Sequence, residues 1–309
     1  MQALWHIDKH HSELRKVSSN NNSNLINLHA AYSLISTGSE RLVASGKVPL
    51  GLENQMQVPY MEGNFALPIK YGYSMIAKSA EGNYFHIMHP HQDIIAVDAT
   101  HLYQLPDDVP VHRLALISNM ETIINAIWDA YPSKEHKIAV CGFGNIGSLL
   151  ATTLRVHFGI EADIIEQNTW RKAKAEQLNW NTETDTDYDI IFHTTATGKG
   201  LQYCIDHLNI EGKVIELSWY GDRKVELSLG ATFHYKRLQI ISSQVSSIPK
   251  SKQANYNYKT RKDLAIQWLR DDSYDQLISD FISFKDAPAF FEALRKNKQG
   301  NGLIWMIEY

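Results

Sequence analysis

The stretch from Lys137 to Ala173, KIAVCGFGNIGSLLATTLRVHFGIEADIIEQNTWRKA, constrains this chain more than any other part. Ile138 to Cys141 is an apolar run of the length expected for a buried strand. Gly142-Phe143-Gly144-Asn145-Ile146-Gly147 follows at once, spaced G-x-G-x-x-G. A helical pattern comes next, with Ile146, Leu149, Leu150, Thr153 and Leu154 on one side. A second short strand, Ala162 to Ile165, then ends at Glu166. In such a unit Gly142 permits a tight turn, Gly144 leaves room for a pyrophosphate, and Gly147 lets the helix pack closely on the strand. The helix start offers free N–H groups and the positive end of its dipole. Glu166, nineteen residues beyond Gly147, is placed to accept from ribose hydroxyls. Together these residues predict a dinucleotide site.

A chain of 309 residues with 44% apolar content can bury a large core and form two domains. The formal charge of −4 provides no basic field for nucleic acid. Cys141 and Cys204 are the two cysteines, too few for a disulfide framework or a four-cysteine zinc lobe. Cys141 ends a buried strand and reads as a small hydrophobe. The opening MQALWHIDKHHSEL lacks the basic-then-apolar pattern of a signal peptide, and no window approaches a membrane span. A cytoplasmic location and no membrane partner are therefore expected.

Short strands dominate the first hundred residues: Met1–Ile7, Leu25–Ser33, Pro68–Ala77, Tyr84–Met88, Ile94–Val97 and Leu102–Leu105. Ser18–Ser23 reads as a polar turn and Gly46–Gly63 as a loop. Thr37 or Ser39 is expected to cap a helix that Glu40 begins. Val111–Trp128 reads as one helix leading into the Rossmann unit. Beyond that unit come a helix around Trp170–Asn179, a strand at Tyr188–Thr194, a helix at Gly200–Leu208 and strands at Gly212–Leu217 and Phe233–Ser243. Lys250–Lys262 holds five Lys or Arg residues and reads as a solvated loop and helix start. Lys262–Leu269 and Ala287–Arg295 read as helices, and Gly302–Ile307 as a closing strand that returns to the first domain. The expected fold is α/β with two domains. Residues 1–112 plus 265–309 form a β-rich substrate domain, and residues 113–264 form an inserted Rossmann domain. The cleft between them is the default reaction site.

Several stretches carry a resemblance. They are Ser36-Thr37-Gly38-Ser39-Glu40-Arg41, Phe65-x-x-Pro68-x-Lys70-Tyr71-Gly72-Tyr73, Trp219-Tyr220-Gly221-Asp222, and Phe233-His234-x-x-Arg237-Leu238-x-Ile240-x-Ser242-Ser243-Gln244-Val245. With the order of elements, they make the chain similar to the medium-chain dehydrogenase/reductase superfamily. Within it they resemble the branch that includes 3-hydroxyethyl bacteriochlorophyllide a dehydrogenase. The resemblance implies a GroES-like domain at the chain ends and an NAD(P)-dependent oxidoreductase acting on a small alcohol or carbonyl compound. Many members hold a catalytic zinc. The matching positions here are Thr37, Tyr73 and Ser118, hydroxyls in place of thiolate, imidazole or carboxylate, with Glu121 close to the last of them. A zinc-free member is expected.

Without zinc, a protein group must stabilise the changing charge on the substrate oxygen. Tyr73 is the first candidate, with Lys70 supplying a cationic field, Thr37 relaying a proton and Glu40 orienting the loop. Each has a structural alternative: packed aromatic, structural cation, or helix-start acid. The small residues of His193–Thr197, HTTAT, would let a cofactor approach, so Thr194 and Thr195 are expected contacts. His193 and His234 are either cofactor neighbours or structural. Glu166 favours NAD by repelling a 2′-phosphate, whereas Arg171 and its neighbours Gln167, Asn168 and Thr169 would suit NADP. A quinone or enone reductase, and a nucleotide-binding protein without redox turnover, are the alternatives. A homodimer through the nucleotide domain is expected, using Val225–Leu229 or Leu238–Ile241.

Overall fold

The computed structural model describes residues 1–18, 24–184 and 186–309. Beyond Ser18, the polar turn expected at Ser18–Ser23 lies outside the described residues. The chain packs as two compact units. One comprises Met1–Ser118, Ile278–Gly300 and Ile304–Tyr309, and the other comprises Asn119–Leu277 with Asn301–Leu303.

The first unit is built on strands whose alternate residues face inward. Gln2–His6 pairs antiparallel with Ser12–Lys16 and with Ile69–Lys70, which in turn carries Glu62–Gly63. A second sheet centres on Ile26–Ile35, which pairs antiparallel with Met75–Lys78, Ile94–Val97 and Ile304–Glu308. The closing strand thus returns to the unit that the chain begins. Its parallel partner, Ile278–Ser283, was hidden in the sequence because ISDFIS is mostly exposed and shows no clean alternation. Leu28, Met75, Ala77, Ile87, Ile95 and Val97 form one buried cluster. Leu4, Ile35, Phe284, Phe291, Leu294 and Ile307 belong to another. Each large apolar side chain so buried contributes roughly 1.5–3 kcal/mol.

Local departures from the sequence expectation have physical causes. The helix Ser39–Ala44 starts one residue early, with Gly38 as its cap and no side-chain capping bond. The Gly46–Gly63 stretch contains a helical turn, Glu53–Met56. The expected Val111–Trp128 helix is two pieces, Val111–Leu114 and Ile117–Ala130. Between them Ala115 and Leu116 donate to carbonyls three residues back, at 3.2 and 3.1 Å, which tightens the turn and redirects the axis.

The second unit is a parallel sheet in the order Asp163–Ile165, Ile138–Cys141, Tyr188–His193, Leu208–Glu216, Gln239–Ser242. Cys141 and Cys204 lie in its apolar core, as free thiols. Phe233–Ser243 is not one strand. Leu229–Phe233 is a helical turn, and Arg237 at φ 57° breaks the extended run before Gln239. Val225–Leu229 is not a strand either.

Residues 265–277 pack with this second unit, so the chain passes back at Ile278 rather than at 265. The His157 ring stacks on Trp268 at 5.0 Å, and the Tyr274 hydroxyl lies 3.2 Å from Thr153 Oγ1. Lys250–Lys262 is only partly solvated. The helix Tyr258–Trp268 buries Arg261, which donates through Nε to Glu121 Oε1 at 3.2 Å. Its Nη1 donates to Asn125 Oδ1 at 2.8 Å and to the Val245 carbonyl at 2.7 Å. Burial raises the Glu121 carboxyl despite this partner. Arg261→Leu is therefore expected to lose about 3 kcal/mol in urea unfolding, because the buried Glu121 carboxylate loses its hydrogen-bonded cation and keeps only the field of Lys262. Adding Glu121→Gln should recover part of the loss. Because the folded-state pKa is raised, the ionised acid costs stability above that pKa. The deficit of the single variant should therefore shrink as pH is lowered.

Candidate functional site

The glycine-rich turn joins the buried strand Ile138–Cys141 to the helix Asn145–Thr153. Gly142 holds φ 100°, which side-chain-bearing residues rarely adopt. A Cβ on Gly147 would meet the Gly142 carbonyl oxygen at 1.8 Å, so helix and strand touch backbone to backbone. No side chain caps the helix start, and its first N–H groups have no partner within the helix. Gly144 and Ile146 are half-exposed on this turn. The Arg171 guanidinium lies beside it, with Nη1 3.4 Å from the place a Cβ on Gly144 would occupy. Asn145 is buried, and its Oδ1 accepts from Asn119 Nδ2 at 2.6 Å.

Phe143 buries its ring, and its N–H donates to Glu166 Oε2 at 2.8 Å. Glu166 Oε1 accepts from the Asn168 N–H at 2.8 Å. The acid that closes the second strand therefore ties the glycine turn to the next loop, and its remaining lone pairs stay available to hydroxyl donors. Uncapped amides, an adjacent guanidinium and a carboxylate one strand away fit a dinucleotide.

Thr194 and Thr195 part company. The Thr194 hydroxyl donates to the carbonyls of Cys141 and Gly142, at 3.0 and 3.1 Å, and so braces the turn from beneath. Thr195 Oγ1 is 2.7 Å from His193 Nε2 and 2.9 Å from Thr197 Oγ1. His193 is fully buried, and its Nδ1 lies 2.8 and 3.0 Å from the oxygens of Glu216. Glu216 escaped the sequence reading. It stands 23 positions from His193, and only the parallel register sets them side by side. His234 is exposed. Arg237 is also exposed and pairs with Glu211 at 2.9 Å.

In the first unit the structure gathers Tyr73, Ser36, Ser39 and Glu40. The Tyr73 hydroxyl is 3.2 Å from Ser39 Oγ, and Ser39 Oγ is 3.3 Å from Ser36 Oγ. Glu40 accepts the Ser36 N–H at 2.8 Å and meets His91 Nε2 at 2.7 Å. His91 Nδ1 continues to Ser33 Oγ at 2.7 Å, and Ser33 to the Tyr309 hydroxyl at 2.8 Å. Burial, and then the charge of Glu40, push the Tyr73 phenol up to about 12. Its ring also packs edge-on against Tyr71 at 6.1 Å. Thr37 is half-buried in the turn just before Ser39.

Lys70 does not join them. Its Nζ donates to Glu62 Oε1 at 2.5 Å and Gln92 Oε1 at 3.2 Å, on a cavity of about 450 Å³ also lined by Trp5, Tyr60 and His89. Lys70 lies opposite Glu62 in the antiparallel pairing of Ile69–Lys70 with Glu62–Gly63.

The positions that match zinc ligands carry hydroxyl donors. Ser118 Oγ lies 3.2 Å from His86 Nε2. Glu121, the one carboxylate near that position in sequence, is held by Arg261 at 3.2 Å. Among the described residues no group of three or more His, Cys, Asp or Glu is arranged to hold a metal.

No family model and no curated protein matches the sequence. Solved structures do match it over the whole chain. The 2R,3R-butanediol dehydrogenase of Bacillus subtilis is 16% identical, with a TM-score of 0.75, covering 100% of this chain and 99% of that one. The rspB alcohol dehydrogenase of E. coli CFT073, complexed with NADH, is 12% identical with a TM-score of 0.72, covering 100% and 99%. S. aureus TarJ in complex with NADPH is 14% identical with a TM-score of 0.67, covering 99% and 98%. The chain has the fold of the medium-chain dehydrogenases, a GroES-like β-rich unit and a Rossmann unit.

Gly147→Ala is expected to destabilise the protein by about 2 kcal/mol or more in thermal unfolding, because the helix must move off the strand. Gly38→Ala, where no atom lies within 4 Å of the added carbon, serves as the control and should change stability little.

Proposed function

We propose that the chain is a zinc-independent, NAD(P)-dependent oxidoreductase that transfers hydride between nicotinamide and an alcohol or carbonyl compound. The observation that carries this reading is the open glycine turn, with Arg171 beside Gly144 and Glu166 one strand away. Two matching structures, with NADH and with NADPH, lend it support. The nicotinamide supplies and accepts the hydride. This chain's residues bind the phosphates, orient the ribose and handle the proton.

Tyr73 is the proposed proton donor to the substrate oxygen. A phenol held near 12 stays protonated through the neutral range, so it donates rather than acts as a base. Ser39 and Ser36 extend the hydroxyl chain behind it. Glu40 holds the loop through Ser36 and His91, and Thr37 lines the same turn. Lys70 has no part in this proton path, since its charge is held by Glu62.

NAD is preferred over NADP in this reading. Glu166 sets a carboxylate where a 2′-phosphate would lie, and Arg171 reaches the glycine turn. Hydroxyl donors at Thr37, Tyr73 and Ser118 support zinc independence. The Trp219-Tyr220-Gly221-Asp222 stretch, anchored by the Tyr220 hydroxyl on Glu216, supports placement near the bacteriochlorophyllide dehydrogenase branch. A homodimer would form along Gln239–Ser242, the edge strand of the parallel sheet.

Fluorescence titration with NADH and NADPH should show saturable binding, tighter for NADH. A substrate panel followed by nicotinamide absorbance should then give turnover with alcohols or carbonyls, unaffected by chelators. Binding without turnover would leave a nucleotide-binding protein, and turnover confined to activated alkenes would make it an enone reductase. Zinc at unit stoichiometry would overturn the hydroxyl mechanism. Tyr73→Phe should lower kcat about 100-fold with NADH affinity intact. The wild-type rate should show no rise with pH from phenol ionisation in the neutral range.

A further inference from the structure

His193 and Glu216 end neighbouring parallel strands and stand directly opposite each other in register. Three donors hold the Glu216 carboxylate. The Ser218 N–H reaches Oε1 at 2.7 Å, the Tyr220 hydroxyl reaches Oε2 at 2.9 Å, and His193 Nδ1 approaches both oxygens. Burial and the Glu216 charge keep the Tyr220 phenol protonated, so it remains a donor. A carboxylate can only accept, so His193 Nδ1 donates to Glu216, and Nε2 faces the Thr195 hydroxyl at 2.7 Å. The Thr195 hydroxyl lies between His193 Nε2 and Thr197 Oγ1, at 2.7 and 2.9 Å. Thr195 itself is half-exposed, and its oxygen can accept one further hydrogen bond.

Space for this chain is reserved in the backbone. A Cβ on Gly200, in the helix Gly198–Asp206, would meet Thr195 Oγ1 at 2.4 Å and His193 Nε2 at 2.9 Å. None of the three donors to Glu216 is a fixed cation. Arg223, exposed, lies over the Tyr220 ring at 5.9 Å. The pair places the Glu216 carboxylate at the carboxyl edge of the sheet.

Sheet order gives that charge a meaning. Glu166 follows the first strand of the order, the glycine turn follows the second, and His193 and Glu216 end the third and fourth. A dinucleotide with its adenosine at Glu166 and its pyrophosphate over the turn extends its ring half toward the third and fourth strands. We propose that His193 and Glu216, acting through Thr195, form the ring end of the cofactor site. Thr195 accepts from the carboxamide N–H of the nicotinamide, and His193 is the positioning residue that aims it. The Glu216 carboxylate behind His193 favours the oxidised, cationic ring over the reduced, neutral one. This inference depends on the dinucleotide reading above.

The test uses three probes, NAD+, NADH and ADP-ribose, the last having no ring. Calorimetric titration of Glu216→Gln should show NAD+ affinity falling about tenfold, the scale of one lost unit charge at short range. NADH should lose less, about threefold, and ADP-ribose should bind as to wild type. Thr195→Val, at a half-exposed position, should weaken NAD+ and NADH alike and leave ADP-ribose unchanged, and it stands in if the glutamate variant fails to fold. Equal losses for all three probes would mean a structural role only, and no loss for the ring-bearing probes would overturn the inference directly. Wild-type protein that binds ADP-ribose while these variants show no ring dependence defeats this inference alone. Wild-type protein that binds none of the three defeats the dinucleotide reading as well.

Discussion

The second unit depends on one close approach, the helix Asn145–Thr153 seated on the strand Ile138–Cys141 with no Cβ at position 147. The ideal Cβ position there lies 1.8 Å from the Gly142 carbonyl oxygen, so any side chain would drive the two elements apart. That contact sets the helix start at the edge of the sheet, where no side chain caps it. Glu166 and Thr194 then hold the turn from two sides, one through the Phe143 N–H and the other through the Cys141 and Gly142 carbonyls. The guanidinium of Arg171 stands beside the same turn.

Buried charge is handled alike in both units, by pairing it within networks that satisfy the remaining polar atoms. Glu40 with His91, Glu216 with His193 and Glu121 with Arg261 are each buried or nearly so, and each carboxylate has a named partner. Such pairs add little net stability but are costly to break, so they fix local geometry. Around Tyr73 the effect is chemical. Its phenol sits in a dry site near a carboxylate, which holds it protonated.

Much of this was legible in the sequence where period and turn chemistry agree. The Gly142–Gly147 spacing, the strand before it and the acid after it gave the unit its form, because each of those signals is local. The closing strand at Ile304–Glu308 was also readable, from its apolar run IWMI. What stayed hidden depends on register or on tertiary pairing. Glu216 meets His193 only through the parallel ladder, and His91 meets Glu40 across 51 positions. Lys70 illustrates the converse. Three residues from Tyr73 in sequence, it is paired across the sheet with Glu62 and bonded to Gln92 instead. The left-handed Arg237 shortened the expected Phe233–Ser243 strand, since nothing in its residue type announces a positive φ.

The most direct measurement is a crystal structure of the protein soaked with NADH. Density for the pyrophosphate should lie against the amides of Asn145 to Gly147, with Arg171 turned onto it and the adenosine ribose at Glu166. A dinucleotide bound elsewhere, or a glycine turn left empty at saturating NADH, would contradict the claim that this edge of the sheet is where the chain works.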